Sequence, residues 1–328
     1  MRIAVIGAGA IGGALAALLS NAGHEVTVTA RGAHLEAMRR EGLSLRGAFG
    51  TSSTHPTAVE TLEATPDLAI LATKTTGTDA ALTANAEALR EVPLLVVQNG
   101  VGSELRAAAL LGSTQVAGGI AVFAANALEP GVVHVTAPGS LVIGGDAAAR
   151  FAPVLSPLLP VTTVHSITGA QWTKLSINMI NPFPAITNLS AQDVISHRGL
   201  RWLLLDAMRE TVRTAHALGV RLETVSGLTP ALSRLIERGP KTLSQIVPLR
   251  MRAAMGATPN LGSTLQSIRR GVPSEIDDLS GHVVRSAKQT WTSAPVNALL
   301  VRAVHDVETG GRHWSPEELL RTAKSERD

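Results

Sequence analysis

Several groups of residues in this 328-residue chain have types and spacings that suit chemistry. Gly7, Gly9 and Gly12 form a G-x-G-x-x-G turn between the apolar run 3–6 and a stretch in which Ile11, Leu15, Leu18 and Leu19 recur at helical spacing. Such a turn suits a dinucleotide. The first glycine permits the tight turn, the second lets a pyrophosphate approach the backbone, and the third lets helix and strand pack closely. The amides of Ala10, Ile11 and Gly12 then face the phosphates from the helix N-terminus. Farther along, residues 171–188 read QWTKLSINMINPFPAITN. If they are helical up to Pro182, at about 100° per residue, Lys174, Asn178 and Asn181 project within roughly 60° of one another. Leu175, Ile177, Met179 and Ile180 cover the other sides. A buried ammonium and buried amides are costly unless partnered, so the stripe points to a polar ligand; a solvated stripe on a surface helix is the alternative. Asn260 and Ser263 stand at i and i+3. Glu275 follows Ser274 and precedes an apolar helix, where taken singly it reads as a capping or first-turn carboxylate.

The cofactor is narrowed by residues 25–30, EVTVTA, which alternate as a second parallel strand and lead into Arg31. An NAD-binding fold usually carries Asp or Glu at this strand end to grip the ribose 2′-hydroxyl, whereas an arginine accommodates a 2′-phosphate. NADP(H) is therefore expected, with Arg31 as a solvated loop charge as the alternative. Residues 67–73, DLAILAT, form a continuous apolar strand of the kind buried in a parallel sheet, and Lys74 follows it. Asn99 follows the strand 94–97 in QNGVG. Each alone suits a turn or surface role, but in βαβ order both fall on the sheet edge that carries the glycine loop, where open α/β sheets bind ligands.

Other elements follow the same patterns. Helices are expected at 33–41, 79–90 and 147–159, strands at 43–46 and 161–165, and an antiparallel extension of the sheet over 117–145. The fold class is α/β, a Rossmann-type doubly wound sheet followed by an all-helical C-terminal domain, divided into residues 1–168 and 169–328. Helices at 200–218, 248–255 and 295–307 fill the second part, and the charged tail 315–328 is expected to end in disorder. The chain has no cysteine, which excludes disulfides and thiolate chemistry, and its ten histidines form no pair at helical ligand spacing, so no metal is expected. Aromatics make up 2% of residues and tyrosine is absent, leaving little for bases to stack on, so nucleic acid is not an expected partner. A net charge of +3 suits small anionic ligands. No stretch approaches the roughly 18 apolar residues of a membrane span, and the N-terminal run turns at once into the glycine loop rather than a signal peptide. A cytoplasmic protein without membrane partners is expected.

The chain resembles the ketopantoate reductases, that is the 2-dehydropantoate 2-reductases, over nearly its whole length. The resemblance is carried by GAGAIG with ARGAHLEAMRREGL, Lys74, QNGVG, EPGVVHVTAPGSLVIGG, WTKLSINMINPFPAIT, ALGV at 217–220, NLGSTLQSIRRGVPSEIDDLSG and SAPVNALL. The resemblance implies NADPH along Gly7 to Gly12 with Arg31 near its 2′-phosphate, and Lys74 and Asn99 on the nicotinamide side. It implies Lys174 as the general acid and Glu275 as the carboxylate that positions the substrate hydroxyl and holds the lysine. Asn99, Asn178, Asn181, Asn260 and Ser263 would hold a 2-keto acid. The chemistry is sound on first principles: hydride transfer to a ketone builds negative charge on oxygen, and a cationic lysine stabilises that charge and then supplies the proton. With lysine and cofactor on different domains, the reaction is expected in an interdomain cleft.

The chain departs from the family pattern at a few places. Asn178 and Asn181 are three residues apart where four is usual, a change that rotates Asn181 by roughly 100° in a regular helix. Residues 118–126, GGIAVFAAN, are more apolar than the usual Thr-containing version, and Ser267 stands where an aspartate is expected. These departures are either drift or the mark of a paralogue for a bulkier 2-keto acid. The expected function is NADPH-dependent reduction of 2-dehydropantoate to pantoate, a step of pantothenate biosynthesis, with a homodimer as the assembly considered. The rivals are a reductase of another 2-keto acid or imine and a non-catalytic NADP(H)-binding sensor.

Overall fold

Three short runs, IAVI, LAIL and LLVV, have no polar face and stay buried along their whole length, which suits only the centre of a sheet covered on both sides. The computed structural model, which describes residues 1–326, places them there. The chain divides into two units, Met1–Ile167 and Thr168–Asp328.

The first unit runs β1 (Arg2–Ile6), α1 (Ala10–Asn21), β2 (Glu25–Thr29), α2 (Gly32–Glu41), β3 (Leu43–Gly47), β4 (Ser52–Thr54), β5 (Thr57–Val59) and β6 (Leu68–Leu71). It continues with α3 (Thr78–Ala84), α4 (Ala86–Leu89), β7 (Leu94–Val97), α5 (Ser103–Leu111), β8 (Val116–Ala121), β9 (Ala124–Glu129), β10 (Val132–Ala137), β11 (Leu141–Gly144), α6 (Ala148–Leu155) and β12 (Val161–Thr163). The main sheet has the order β12-β11-β8-β7-β6-β1-β2-β5. From β5 to β8 every pairing is parallel, and the direction of winding reverses between β1 and β6. This is the doubly wound arrangement with its switch point at the carboxyl end of β1.

Two expectations need correction in this unit. Of the stretch 117–145, only β8 and β11 extend the main sheet; β9 and β10 leave it and form a second sheet in the order β4-β3-β10-β9. β10 and β3 bury alternate residues, Val133 and Val135 or Leu43 and Leu45, so each has one apolar face and fits a one-sided sheet. That face joins the core built around Leu15 and Leu19 of α1. The helix expected over 79–90 breaks at Asn85, whose side chain takes the Leu62 N–H at 2.7 Å and gives an N–H to the Ala81 carbonyl. Phe123 is core: it is 4% exposed and its ring lies 5.1 Å from that of Phe49. Its apolar character therefore belongs to packing of the second sheet rather than to a ligand pocket.

The second unit is built from α7 (Ile167–Asn178), α8 (Pro182–Thr187), α9 (Ala191–Ser196), α10 (Arg198–Ala217), α11 (Pro230–Arg238) and α12 (Lys241–Ser244). It ends with α13 (Ile246–Ala254), α14 (Gly262–Arg269), α15 (Ser280–Gln289), α16 (Pro295–Gly310) and α17 (Pro316–Ser325). Long α10 ties the bundle together. Its buried Glu210 accepts hydrogen bonds from the Val296 and Asn297 amides and the Asn297 side chain, which satisfies the first turn of α16. Burial pushes the Glu210 carboxyl up, against the opposing pull of those hydrogen bonds. The charged tail is helical over Pro316–Ser325, because Ser315 accepts the Glu318 N–H as a cap and Leu319 and Ala323 are buried; residues 327–328 of the tail lie outside the described residues. Among the described residues no helix is long and apolar enough to cross a membrane.

Candidate functional site

In the first unit the carboxyl end of β1 opens on a cavity of about 470 Å³. Gly7 sits there at φ +94°, and an added Cβ would lie 2.7 Å from the Thr73 methyl. Gly12 has no room for a side chain because a Cβ would strike the Gly7 carbonyl. Gly9 faces open space, with nothing within 4 Å of where a Cβ would stand. Two loop amides are already used: Gly7 donates to the Thr29 hydroxyl at 3.0 Å and Ala8 to the Thr29 carbonyl at 2.9 Å. The first-turn amides of α1, on Ala10, Ile11 and Gly12, have no side-chain cap and no acidic neighbour in that turn. Open space before Gly9 and helix-terminal donors that carry no side-chain cap among the described residues fit a dinucleotide pyrophosphate, and these residues would hold it.

The cavity wall continues through Ala30 and Arg31 and across to Leu128 and Glu129 of the β9–β10 hairpin. Arg31 is exposed, precedes α2 and makes no ion pair among the described residues. Two wall residues escaped the sequence reading. His34, one turn into α2, accepts the Gly131 N–H on Nδ1 at 2.9 Å, so its proton is on Nε2, which donates to the Ala8 carbonyl at 2.7 Å. It thus ties the glycine loop to the β9–β10 turn. Its signal is spacing: three residues after Arg31, it faces back over the helix start. Glu60 follows β5, whose Val59 pairs with Thr29 of β2. A carboxylate thus stands one strand over from the position where an NAD-binding fold carries it, and no local pattern reveals that.

Lys74 and Asn99 follow β6 and β7, the two strands on the far side of β1. Their loops are fixed by Gln98, another residue the sequence left unmarked. Its amide donates to the Thr73 carbonyl at 2.8 Å, and the Thr73 and Thr78 hydroxyls lie at 3.0 and 2.8 Å. Lys74 is exposed and Asn99 half-buried.

In the second unit, α7 carries Lys174 and Asn178 on one face and ends at Asn178 rather than running on to Pro182. Residues 179–181 form a tight turn in which the Asn181 N–H bonds back three residues to the Asn178 carbonyl at 2.9 Å. With about three residues per turn, i and i+3 eclipse, so Asn181 stays above Asn178. The regular-helix rotation inferred from the shortened spacing does not apply. Asn181 Oδ1 lies 3.2 Å from where a Gly262 Cβ would stand, which sets it against the start of α14 between Asn260 and Ser263. Asn260 uses its side-chain oxygen on the Gly262 N–H at 2.9 Å, and both Asn260 and Ser263 are exposed.

Lys174 is half-buried, and its ammonium has no hydrogen-bond or ion-pair partner among the described residues, so the expected contact with Glu275 is not formed here. Burial alone pushes its pKa down from the ordinary lysine value. Glu275 stands in a turn rather than at a helix start. Ser274 Oγ accepts the Ile276 N–H at 3.4 Å, while α15 begins only at Ser280. The Ser280 hydroxyl reaches Met179 Sδ at 3.7 Å, which links the start of α15 to the turn between α7 and α8. No group of three or more His, Cys, Asp or Glu that could hold a metal occurs among the described residues.

The chain matches two family models, ketopantoate reductase PanE/ApbA over residues 3–147 and its C-terminal counterpart over residues 166–308. It is 31% identical over 319 residues to a 2-dehydropantoate 2-reductase of Pyrococcus horikoshii, covering 95% of this chain and 99% of that one. A PanE/ApbA family ketopantoate reductase from Ralstonia eutropha superposes with a TM-score of 0.81 at 29% identity, covering 95% and 100% of the two chains. D-mandelate dehydrogenase, solved with NADH and anilino(oxo)acetate, gives the same TM-score at 21% identity over 94% and 99%, a likeness of fold.

Proposed function

The chain belongs to the ketopantoate reductase family, and on that premise we propose that it catalyses the NADPH-dependent reduction of 2-dehydropantoate to pantoate. In this reading residues 1–168 are the NADP(H)-binding domain and residues 169–328 the substrate domain. The observation that carries the reading is Lys174: a half-buried ammonium without a partner among the described residues, its pKa lowered by burial, on a helix face shared with Asn178.

Bound NADPH supplies the hydride. Lys174 holds its proton on Nζ against the substrate carbonyl oxygen, stabilises the charge that builds there and then transfers that proton. A lowered pKa brings the ammonium closer in acidity to what proton donation near neutral pH requires. Asn178, Asn181, Asn260 and Ser263 hydrogen-bond the keto acid, Glu275 orients its hydroxyl and draws the lysine in, and Lys74 and Asn99 border the nicotinamide. Arg31 meets the 2′-phosphate.

A second reading, reduction of a different 2-keto acid, is favoured by the spacing itself: Asn178 and Asn181 are three residues apart where the family usually has four, which shortens the segment between two amides that face the substrate even though the tight turn keeps both on one face. The test is steady-state oxidation of NADPH, with NADH in parallel, against a panel of 2-keto acids headed by 2-dehydropantoate. A clear kcat/KM preference for 2-dehydropantoate with NADPH supports the proposal. A preference for a larger keto acid transfers it to the second reading, and NADPH binding without turnover of any substrate overturns both in favour of a sensor.

A further inference from the structure

The turn that carries Glu275 is fastened to α16 at two points. His305 and Glu308, one helical turn apart on α16, face it. Glu308 accepts the Ser274 N–H at 2.9 Å, immediately before Glu275, and His305 Nε2 lies 3.2 Å from Asp277 Oδ1, two residues after it. The other ring nitrogen, Nδ1, lies 2.9 Å from Glu308 Oε2. Within the turn, the Glu275 carbonyl accepts the Asp278 and Leu279 N–H groups, both at 3.0 Å, so displacement of Asp277 carries Glu275 with it.

A neutral imidazole has one N–H and one bare nitrogen, whereas here both nitrogens meet carboxylates. Only the imidazolium satisfies both. We propose that His305 is a positioning residue for Glu275: as an imidazolium it clamps the Glu275 turn to α16, and its deprotonation releases one of the two carboxylates and weakens substrate binding. The inference rests on the reading of Glu275 as a substrate-positioning carboxylate.

The surroundings agree in sign. Burial would lower the His305 pKa, but the hydrogen bonds to Glu308 and Asp277 and their charges outweigh it and hold it above the ordinary value. Burial would raise the Glu308 carboxyl, and the Ser274 and His305 hydrogen bonds hold it low instead. Other charged groups come from the elements packed on α16. Arg285 of α15 flanks Asp277, since a Cβ at Gly281 would lie 3.2 Å from its Nη1 and 3.5 Å from Asp277 Oδ1. α8 carries no charged residue, and Glu210 of α10 is engaged at the far end of α16. On α16 itself Arg302 pairs with Glu326, and Asp306 follows His305. A histidine whose folded pKa is raised keeps its clamp intact below the unfolded value and loses it as pH rises through the raised one.

The experiment measures KM for 2-dehydropantoate and kcat against pH for the native chain and for His305→Gln, Asp277→Asn, Glu275→Gln and His305→Gln/Glu275→Gln. Native KM is expected to rise about threefold to fivefold through the clamp transition, the scale of an exposed ion pair. His305→Gln should hold KM at the high-pH level throughout and leave kcat within about twofold. Asp277→Asn should move the midpoint toward the ordinary histidine value, and the double variant should add nothing to Glu275→Gln. If Glu275→Gln raises KM while His305→Gln keeps the native KM and its pH dependence, the clamp is refuted and the role of Glu275 stands. If Glu275→Gln leaves KM unchanged, that role is refuted and the clamp with it.

Discussion

Lys174 is where burial and chemistry oppose each other. Removing an ammonium from water costs free energy, and no carboxylate among the described residues offsets that cost, so the folded chain favours the neutral form more than the unfolded chain does. Protonated Lys174 therefore destabilises the fold below its lowered pKa, and that penalty is relieved as pH rises from there to the ordinary lysine value. Reduction needs the opposite form. The kcat/KM for reduction is expected to fall as pH rises through the Lys174 pKa, beginning below the range of an exposed lysine near 10.4, about the reference value. A pH profile flat to that value would remove Lys174 as the acid. Lys174→Ala is expected to lower kcat by about 10²-fold or more while the Kd for NADPH, measured by fluorescence titration, stays within about twofold. The same substitution removes the buried charge and should raise the melting temperature at neutral pH.

At the scale of elements, strand ends and helix starts decide what each side chain meets. The glycine turn, the β1–α1 unit and the positions of Lys74 and Asn99 were legible in the sequence because central parallel strands have no polar face and their loops all exit on one edge. Pairing across long separations was not legible. β3 and β10 lie far apart in sequence, and their one-sided burial shows only that they belong to some half-exposed sheet. Asn181 was placed on the right face by a regular-helix argument, although the structure reaches that face by a tight turn with i to i+3 bonding. His34 and Glu60 were missed because their meaning comes from Gly131, a hairpin away, and from the register of β5 on β2. Glu60 bears on cofactor choice. It and Arg31 line one cavity, and a carboxylate repels a 2′-phosphate that an arginine attracts. Arg31→Asp should shift the kcat/KM ratio toward NADH by about tenfold or more, and Glu60→Gln should shift it toward NADPH by a smaller factor, about threefold, since Glu60 is exposed. If both ratios match the native one, the 2′-position is read elsewhere.

At the scale of the whole chain, the two units place different demands on ligand-linked stability. Every residue assigned to the pyrophosphate and the 2′-phosphate lies within Met1–Ile167, which has its own apolar cores around Leu15 and Leu82. A ligand that binds only the folded form adds RT ln(1 + [L]/Kd), about 2.7 kcal/mol at one hundred times Kd. For a unit of this size each kcal/mol raises the melting temperature by about 2–4 °C, so saturating NADPH should raise the transition of the first unit by roughly 5–10 °C. Tryptophan makes the assignment direct. All four tryptophans, Trp172, Trp202, Trp291 and Trp314, lie in the second unit, so indole fluorescence follows that unit while calorimetry follows both. With NADPH present, a calorimetric transition that rises while the tryptophan transition moves less would locate the stabilisation in the dinucleotide fold. Arg31→Asp should shrink the NADPH shift and spare the NADH shift, and Lys174→Ala should leave both intact. Equal upward shifts of the two transitions would mean that cofactor binding is coupled through the whole chain, and no shift with either nucleotide would remove the glycine turn from cofactor binding altogether.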